Sequence, residues 1–258
     1  MSIAALQQMK DRGEKISVLT CYDYPTARLL DDAGLDLLLV GDSVGMVVLG
    51  YPDTTFVTMD EMLHHTRAVA RGATRVPILA DLPIASYETS EAALVNGSRL
   101  IDAGAHAVKL EGGASHTAQI AALTAAGIPV MAHIGMQPQR VRIEGGYSVK
   151  GKTPEDAARL LADAIAAEQA GAFGLLLELV KADVAAGITR SVRIPTIGIG
   201  AGPDCDGQVL VTHDLIGMFP WFTPRFVTPQ ANVASEITRA VTAFIASTKQ
   251  PSAREHRG

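Results

Sequence analysis

Short, wholly apolar runs alternate along the chain with longer stretches in which apolar residues recur three and four positions apart. The runs predict strands over 16–20, 35–40, 77–80, 107–110, 129–132, 174–177 and 195–199, with a weaker eighth over 209–211. The helical spacing falls between them, over 24–33, 59–71, 90–103, 115–126, 154–169, 180–191 and 229–247. Strands that are apolar throughout are what a parallel sheet covered on both faces requires. Local punctuation agrees. "DAG" at Asp32 and Asp102 and "QAG" at Gln169 place glycine where a helix stops before the next strand. Thr153-Pro154 reads as an N-cap followed by proline at the first helical position. Pro77, Pro129 and Pro195 each open a strand, where a missing N–H is tolerated.

Seven or eight units of helix, glycine, strand and loop predict an α/β fold, a (β/α)8 TIM barrel of parallel strands with an extra N-terminal helix. The length, 258 residues, suits such a barrel, which takes ~250. An open doubly wound sheet is the structural rival. No Pro/Ser-rich linker interrupts the pattern, so one barrel domain is expected over 1–248, with a polar, disordered tail over 249–258. The longest irregular stretch, 137–152, would leave the C-terminal end of the fifth strand. An irregular segment of that size in a compact domain is a candidate lid.

Composition narrows the function. With 48% hydrophobic and 19% charged residues, the chain can build a large core. The net charge of −5, with dispersed basic residues, excludes a nucleic-acid partner. The N-terminus lacks a basic segment followed by an apolar run, and no stretch approaches the ~18 apolar residues of a membrane span, so neither a secretory signal nor a membrane is expected. Cys21 and Cys205 sit in no metal or redox spacing and read as free thiols of a cytoplasmic protein.

The chemistry gathers where the strands end. "LLLVGDSVG" carries Asp42 and Ser43, "PILADLP" Asp81, "AVKLEGG" Lys109 and Glu111, "PVMAHIG" His133, and "GLLLELV" Glu178. Each has a plain alternative: a turn or cap for the acids, a hydrogen-bonded core residue for His133, a partner for Lys181 in the case of Glu178. Together they matter more, because a parallel barrel brings all C-terminal strand ends to one rim. Two aspartates and a glutamate offer hard oxygens, and crowded acids need a cation, so Mg2+ is the natural ion. A 2-oxo acid would chelate such an ion, with Lys109 and Ser43 left to hold its carboxylate. The ion would stabilise an enolate, and Glu178, leaving an apolar strand, would serve as the base.

The stretches 41–72, 79–87, "AVKLEGG", "MAHIGMQPQ" and 194–217 resemble the 3-methyl-2-oxobutanoate (ketopantoate) hydroxymethyltransferase family over nearly the whole chain. The resemblance implies a Mg2+-binding barrel that moves a one-carbon unit from 5,10-methylenetetrahydrofolate to 3-methyl-2-oxobutanoate, giving 2-dehydropantoate in pantothenate synthesis. It implies Asp42 and Asp81 as metal ligands with Glu111 completing the surroundings, Ser43 and Lys109 on the oxo-acid carboxylate, His133 lining the site and Glu178 as proton acceptor. It also implies a homo-oligomer, a decamer. Met136-Gln137, Lys150 and Ile84 depart from the family pattern in the lid and outer walls. The rival is a Mg2+-dependent carbon–carbon lyase of the phosphoenolpyruvate mutase and isocitrate lyase group, which shares the "LGYPDT" stretch but looks for a loop cysteine that neither Cys21 nor Cys205 supplies. A non-catalytic oxo-acid-binding barrel is a third reading, disfavoured by the crowded acids.

Overall fold

The computed structural model describes residues 2–249, so the expected tail, apart from Lys249, lies outside the described residues. Two compact units divide between Leu210 and Val211. The first begins with α1 (Ile3–Asp11), β1 (Ile16–Thr20), α2 (Tyr24–Ala33), β2 (Leu37–Val40), α3 (Val44–Val47) and α4 (Met59–Gly72). It continues through β3 (Ile78–Asp81), α5 (Ser90–Asp102), β4 (Ala107–Glu111), α6 (Thr117–Ala125), β5 (Val130–Gly135) and α7 (Val141–Glu144). It ends with α8 (Pro154–Gln169), β6 (Gly174–Glu178), α9 (Ala182–Ser191), β7 (Thr196–Ile199) and β8 (Gly207–Leu210). All strands pair in parallel in sequence order, and β1 pairs with both β2 and β8. The sheet is a closed (β/α)8 barrel, which rules out the open rival.

Side chains alternate along each strand between two separate cores, because the side-chain period of a strand is two. Leu38, Val40, Ile78, Ala80, Val108, Leu110, Ala132 and Leu175 face the surrounding helices. Val18, Leu37, Leu39, Leu79, Ala107, Met131, Leu176, Ile197 and Val209 fill the interior. Leu6 and Met9 of α1 join that interior cluster, so the N-terminal helix plugs the barrel beside Ile16 and Val18. Lys10 holds it there, donating to the carbonyls of Val192 and Ile194 and pairing with Asp206 at 3.0 Å.

The strand boundaries differ slightly from the pattern. Pro77, Pro129 and Pro195 stand one residue before β3, β5 and β7, and their carbonyls accept from Leu38, Val108 and Leu175 of the neighbouring strands. The prolines thus extend the ladder as acceptors only, consistent with their missing N–H. The eighth strand starts at Gly207 rather than 209, with Gln208 exposed between buried neighbours. The helix expected over 180–191 begins at Ala182, and the 137–152 segment contains α7. Thr153 caps α8 as expected, its hydroxyl accepting from the Asp156 N–H.

The second unit holds α10 (Thr212–Leu215) and α11 (Val233–Lys249). Along α11, Ile237, Val241, Phe244 and Ile245 recur at helical spacing and are all exposed. Among the described residues, no helix is long and apolar enough to cross a membrane.

Candidate active site

Interior-facing positions change character toward the C-terminal ends of the strands. On β3 the inward residue after Leu79 is Asp81; on β4, after Ala107, Lys109 and Glu111; on β5, after Met131, His133; on β6, after Leu176, Glu178. Strand register aligns them, pairing Asp81 with Lys109 and Glu111 with His133. Asp42 and Ser43 stand just beyond β2. Gly41 leaves room for them, since a Cβ there would lie 2.9 Å from Ser43 Oγ and displace that hydroxyl. Every residue singled out from the sequence therefore belongs to one rim.

The contacts form a continuous chain. The Asp42 N–H donates to Asp81 Oδ2 at 3.0 Å. Lys109 Nζ lies 3.1 Å from Asp81 Oδ1, and on its other side 3.3 Å from His133 Nδ1. An ammonium only donates, so Nδ1 must accept and the neutral imidazole carries its proton on Nε2. That nitrogen faces Glu178 Oε2 at 3.4 Å. Glu111 Oε1 is 3.6 Å from His133 Nδ1, too far for a hydrogen bond. Lys181 pairs with Asp183 at 3.4 Å, which removes the plain account of Glu178 as its partner. Immediately after Glu178 the backbone turns through the left-handed region at Leu179, with φ of 48°. A bulky side chain seldom adopts that conformation, and such strain clusters at functional sites.

Electrostatics follow from burial. Asp42, Asp81 and Glu111 are at most 5% exposed, and Lys109 is the one ammonium among them. Burial raises Asp81 to about 7 against the opposing pull of Lys109. Burial and the Asp42 charge hold Glu111 well above the usual carboxylate range. Burial works against the Lys109 charge, but Asp81, Asp42 and Glu111 outweigh it and raise its proton affinity. Burial and Lys109 drive His133 well below its ordinary value, which keeps it neutral. Glu178, whose side chain is 15% exposed, is lifted by burial to about 7.

The set fits a divalent cation. Three buried carboxylates face one ammonium and a neutral imidazole, so positive charge is short. Glu111 Oε1 is buried without a hydrogen-bond partner, and Asp81 Oδ1 has the Lys109 ammonium 3.1 Å away. Oxygen-only donors of this kind suit Mg2+. No group of three or more His, Cys, Asp or Glu side chains among the described residues forms a ready-made metal cluster. An ion here would take few protein ligands and keep positions open for a chelating substrate.

Four residues of the site escaped the sequence reading. Tyr22, two residues past β1, shares a 2.8 Å hydrogen bond with Ser43 Oγ, and its carbonyl meets His65 Nδ1 at 2.7 Å. It was legible as a polar residue at the end of a strand. Tyr87 and Gln139 are buried behind the acids, and the Tyr87 hydroxyl donates to Gln139 Oε1 at 2.6 Å. Tyr147, on the 137–152 segment, points its hydroxyl at Met46 Sδ, 3.8 Å away. That segment starts and finishes on the end of β6, with Met136 N–H on the Glu178 carbonyl and Lys150 N–H on the Leu179 carbonyl.

The profile of the ketopantoate hydroxymethyltransferase family matches residues 1–252. The chain belongs to that family. A 3-methyl-2-oxobutanoate hydroxymethyltransferase from Geotalea daltonii is 51% identical over 251 residues, 96% of this chain and 94% of the relative. One from Moorella thermoacetica is 52% identical over 243 residues, 93% of this chain and 90% of its own. Membership makes the chain a transferase of pantothenate biosynthesis. Among solved structures, a phosphonopyruvate hydrolase in complex with oxalate and Mg2+ superposes with a TM-score of 0.66 at 18% identity, covering 99% of this chain and 93% of that one. A putative phosphonomutase from Burkholderia cenocepacia gives 0.67 at 18%, covering 96% and 100%. At such identities the likeness is one of fold.

Proposed function

We propose that this family member transfers the one-carbon unit of 5,10-methylenetetrahydrofolate to C3 of 3-methyl-2-oxobutanoate, giving 2-dehydropantoate, with Mg2+ at the rim and Glu178 as the base. The observation that carries this is the charge pattern: three buried acids short of positive charge beside a fourth, Glu178, poised near neutral pH. Asp42 and Asp81 would ligate the ion, and Glu111 would complete its surroundings, directly or through water. When bound, Mg2+ supplies Lewis-acid stabilisation of negative charge on the keto oxygen. Lys109 and Ser43 hold the oxo-acid carboxylate; Tyr22 fixes the Ser43 hydroxyl. Glu178 removes the C3 proton, and the carbon left with the electron pair bonds to the one-carbon unit, which parts from both folate nitrogens; one water supplies the oxygen of the new hydroxyl and tetrahydrofolate leaves. His133 lines the site and turns its Nε2–H toward Glu178, which supports the ionised form. The oxalate and Mg2+ held by the phosphonopyruvate hydrolase agree with an oxo-acid site on this type of barrel. The exposed apolar side of α11 supports self-association, in the homodecamer the family resemblance implies.

The test is direct. Incubated with Mg2+, methylenetetrahydrofolate and 3-methyl-2-oxobutanoate, the protein should form 2-dehydropantoate, and Asp81→Ala should not. Absence of product from the wild type overturns the assignment. Tight, metal-dependent oxo-acid binding by Asp81→Ala would overturn the metal site alone.

A further inference from the structure

We propose that Gln139 is a positioning residue that sets the orientation of two of the site's acids, Asp42 and Glu111, from behind. It lies on the short turn Pro138–Arg140, inside the segment read from the sequence as a candidate lid, yet it is only 4% exposed. Its Nε2 donates to Asp42 Oδ2 at 2.8 Å and to the Leu82 carbonyl at 3.0 Å. Its backbone N–H donates to Glu111 Oε2 at 3.0 Å. One residue therefore fixes one oxygen of an acid beyond β2 and one oxygen of an acid on β4. The amide has a single sensible orientation, because both neighbours of Nε2 are acceptors and Oε1 receives the Tyr87 hydroxyl. Tyr87 is itself anchored, its hydroxyl accepting from the Glu111 N–H at 3.3 Å.

The chemistry explains why an amide stands here. A lysine or arginine would add a charge and compete with a cation for the acids. The side-chain amide donates to Asp42 without charge and the backbone N–H does the same for Glu111, which occupies one oxygen of each carboxylate and leaves Glu111 Oε1 without a hydrogen-bond partner. Outer residues of this kind orient metal ligands and typically govern affinity by 10- to 100-fold. The inference rests on Asp42 and Glu111 serving a metal, as proposed above.

Mn2+, read by the electron paramagnetic resonance of the free ion, is the probe, titrated with and without 3-methyl-2-oxobutanoate. Gln139→Met keeps the length and the backbone N–H to Glu111 but deletes the amide. It should weaken Mn2+ binding by about 10- to 100-fold while the near-ultraviolet circular dichroism stays that of the wild type. Tyr87→Phe, which loosens the amide without touching Asp42, should weaken it in the same direction by less. A folded Gln139→Met protein that binds Mn2+ as the wild type does overturns the inference. Should that variant not fold, unchanged affinity in Tyr87→Phe overturns it instead. Asp42→Asn separates the two levels: if it too binds Mn2+ normally, the metal reading of the site fails and the positioning role with it. If Asp42→Asn loses the ion while Gln139→Met and Tyr87→Phe keep it, only the role of Gln139 is wrong.

Discussion

Proton removal can be isolated from the rest of the reaction, because exchange of the C3 hydrogen of 3-methyl-2-oxobutanoate for deuterium requires no folate. Burial lifts Glu178 from 4.5 to about 7, equivalent to about 3 kcal/mol of disfavoured ionisation. A carboxylate tuned to that range is a better base than a free glutamate and still ionises at working pH. With a midpoint near 7, the ionised fraction is about a tenth at pH 6 and about nine tenths at pH 8. Exchange followed by NMR should therefore rise about tenfold between those values and then level off. Glu178→Gln keeps the side-chain size and an oxygen to face His133 Nε2, but removes the base. Exchange should fall by about 10²- to 10⁴-fold, while oxo-acid binding measured by calorimetry changes little. Wild-type exchange in the variant, or a flat profile from pH 6 to 8, refutes the assignment. Stability should respond with the opposite sense. The native state holds this proton more tightly than the unfolded chain, so the contribution is complete below about 4.5 and disappears as pH rises through about 7.

Lys109→Met should expose the charge shortage directly. Breaking a buried pair costs about 3–5 kcal/mol, which in a chain of this size lowers Tm by roughly 6–20 °C at pH 8 without added metal. At pH 5 the drop should shrink, because Asp81, already at about 7 with Lys109 present, then keeps its proton. Equal drops at the two pH values would show that charge is not the cause. Arg142 ties the 137–152 segment down, with Nε 2.9 Å from Asp53 Oδ2 and its guanidinium 4.2 Å from the Phe56 ring centre. Such exposed contacts are worth about 1–2 kcal/mol together, so Arg142→Ala should speed chymotryptic cleavage at the exposed Tyr147 about 5- to 30-fold. An unchanged cleavage rate there counts against a tethered lid.

The barrel was legible because each strand repeats one local rule, an apolar run closed by glycine or proline on one side and by polar residues on the other. The rim residues were legible for the same reason. Asp81, Lys109, Glu111, His133 and Glu178 continue the inward parity of the apolar positions that precede them on their strands. The eighth strand was displaced because its pattern, Gly207, Gln208, Val209 and Leu210, supplies only two apolar side chains and an exposed polar one. Gln139 was invisible for a different reason. It sits outside any periodic element, and its partner Asp42 is 97 positions away, so only the tertiary arrangement relates them. Tyr87 is the same case, placed by a loop whose course no repeat dictates.

Burial at the end of the barrel interior raises Asp81, Glu111 and Glu178 alike, and it is their neighbours that separate acids the sequence presents as equals. Where acids crowd, as Asp42, Asp81 and Glu111 do, burial leaves them short of a cation, and the proposed divalent ion would restore the balance. Glu178 faces the neutral His133 instead, and the same burial leaves it at about 7, the range the proposed base requires. The divider is the pair Lys109 and His133. Their 3.3 Å approach forbids a second positive charge on the imidazole, so Lys109 pairs directly with Asp81 while Glu178 faces a neutral ring at 3.4 Å and feels the ammonium only at a distance, too weakly to offset its burial. A cationic group in place of His133 would pair with Glu178 and lower its proton affinity, removing the base. An apolar group would leave Lys109 Nζ without one partner and Glu178 without its neighbouring N–H. A neutral imidazole accepts from Lys109 and faces Glu178 with an N–H, and the proposed separation of ion site from base depends on its staying uncharged.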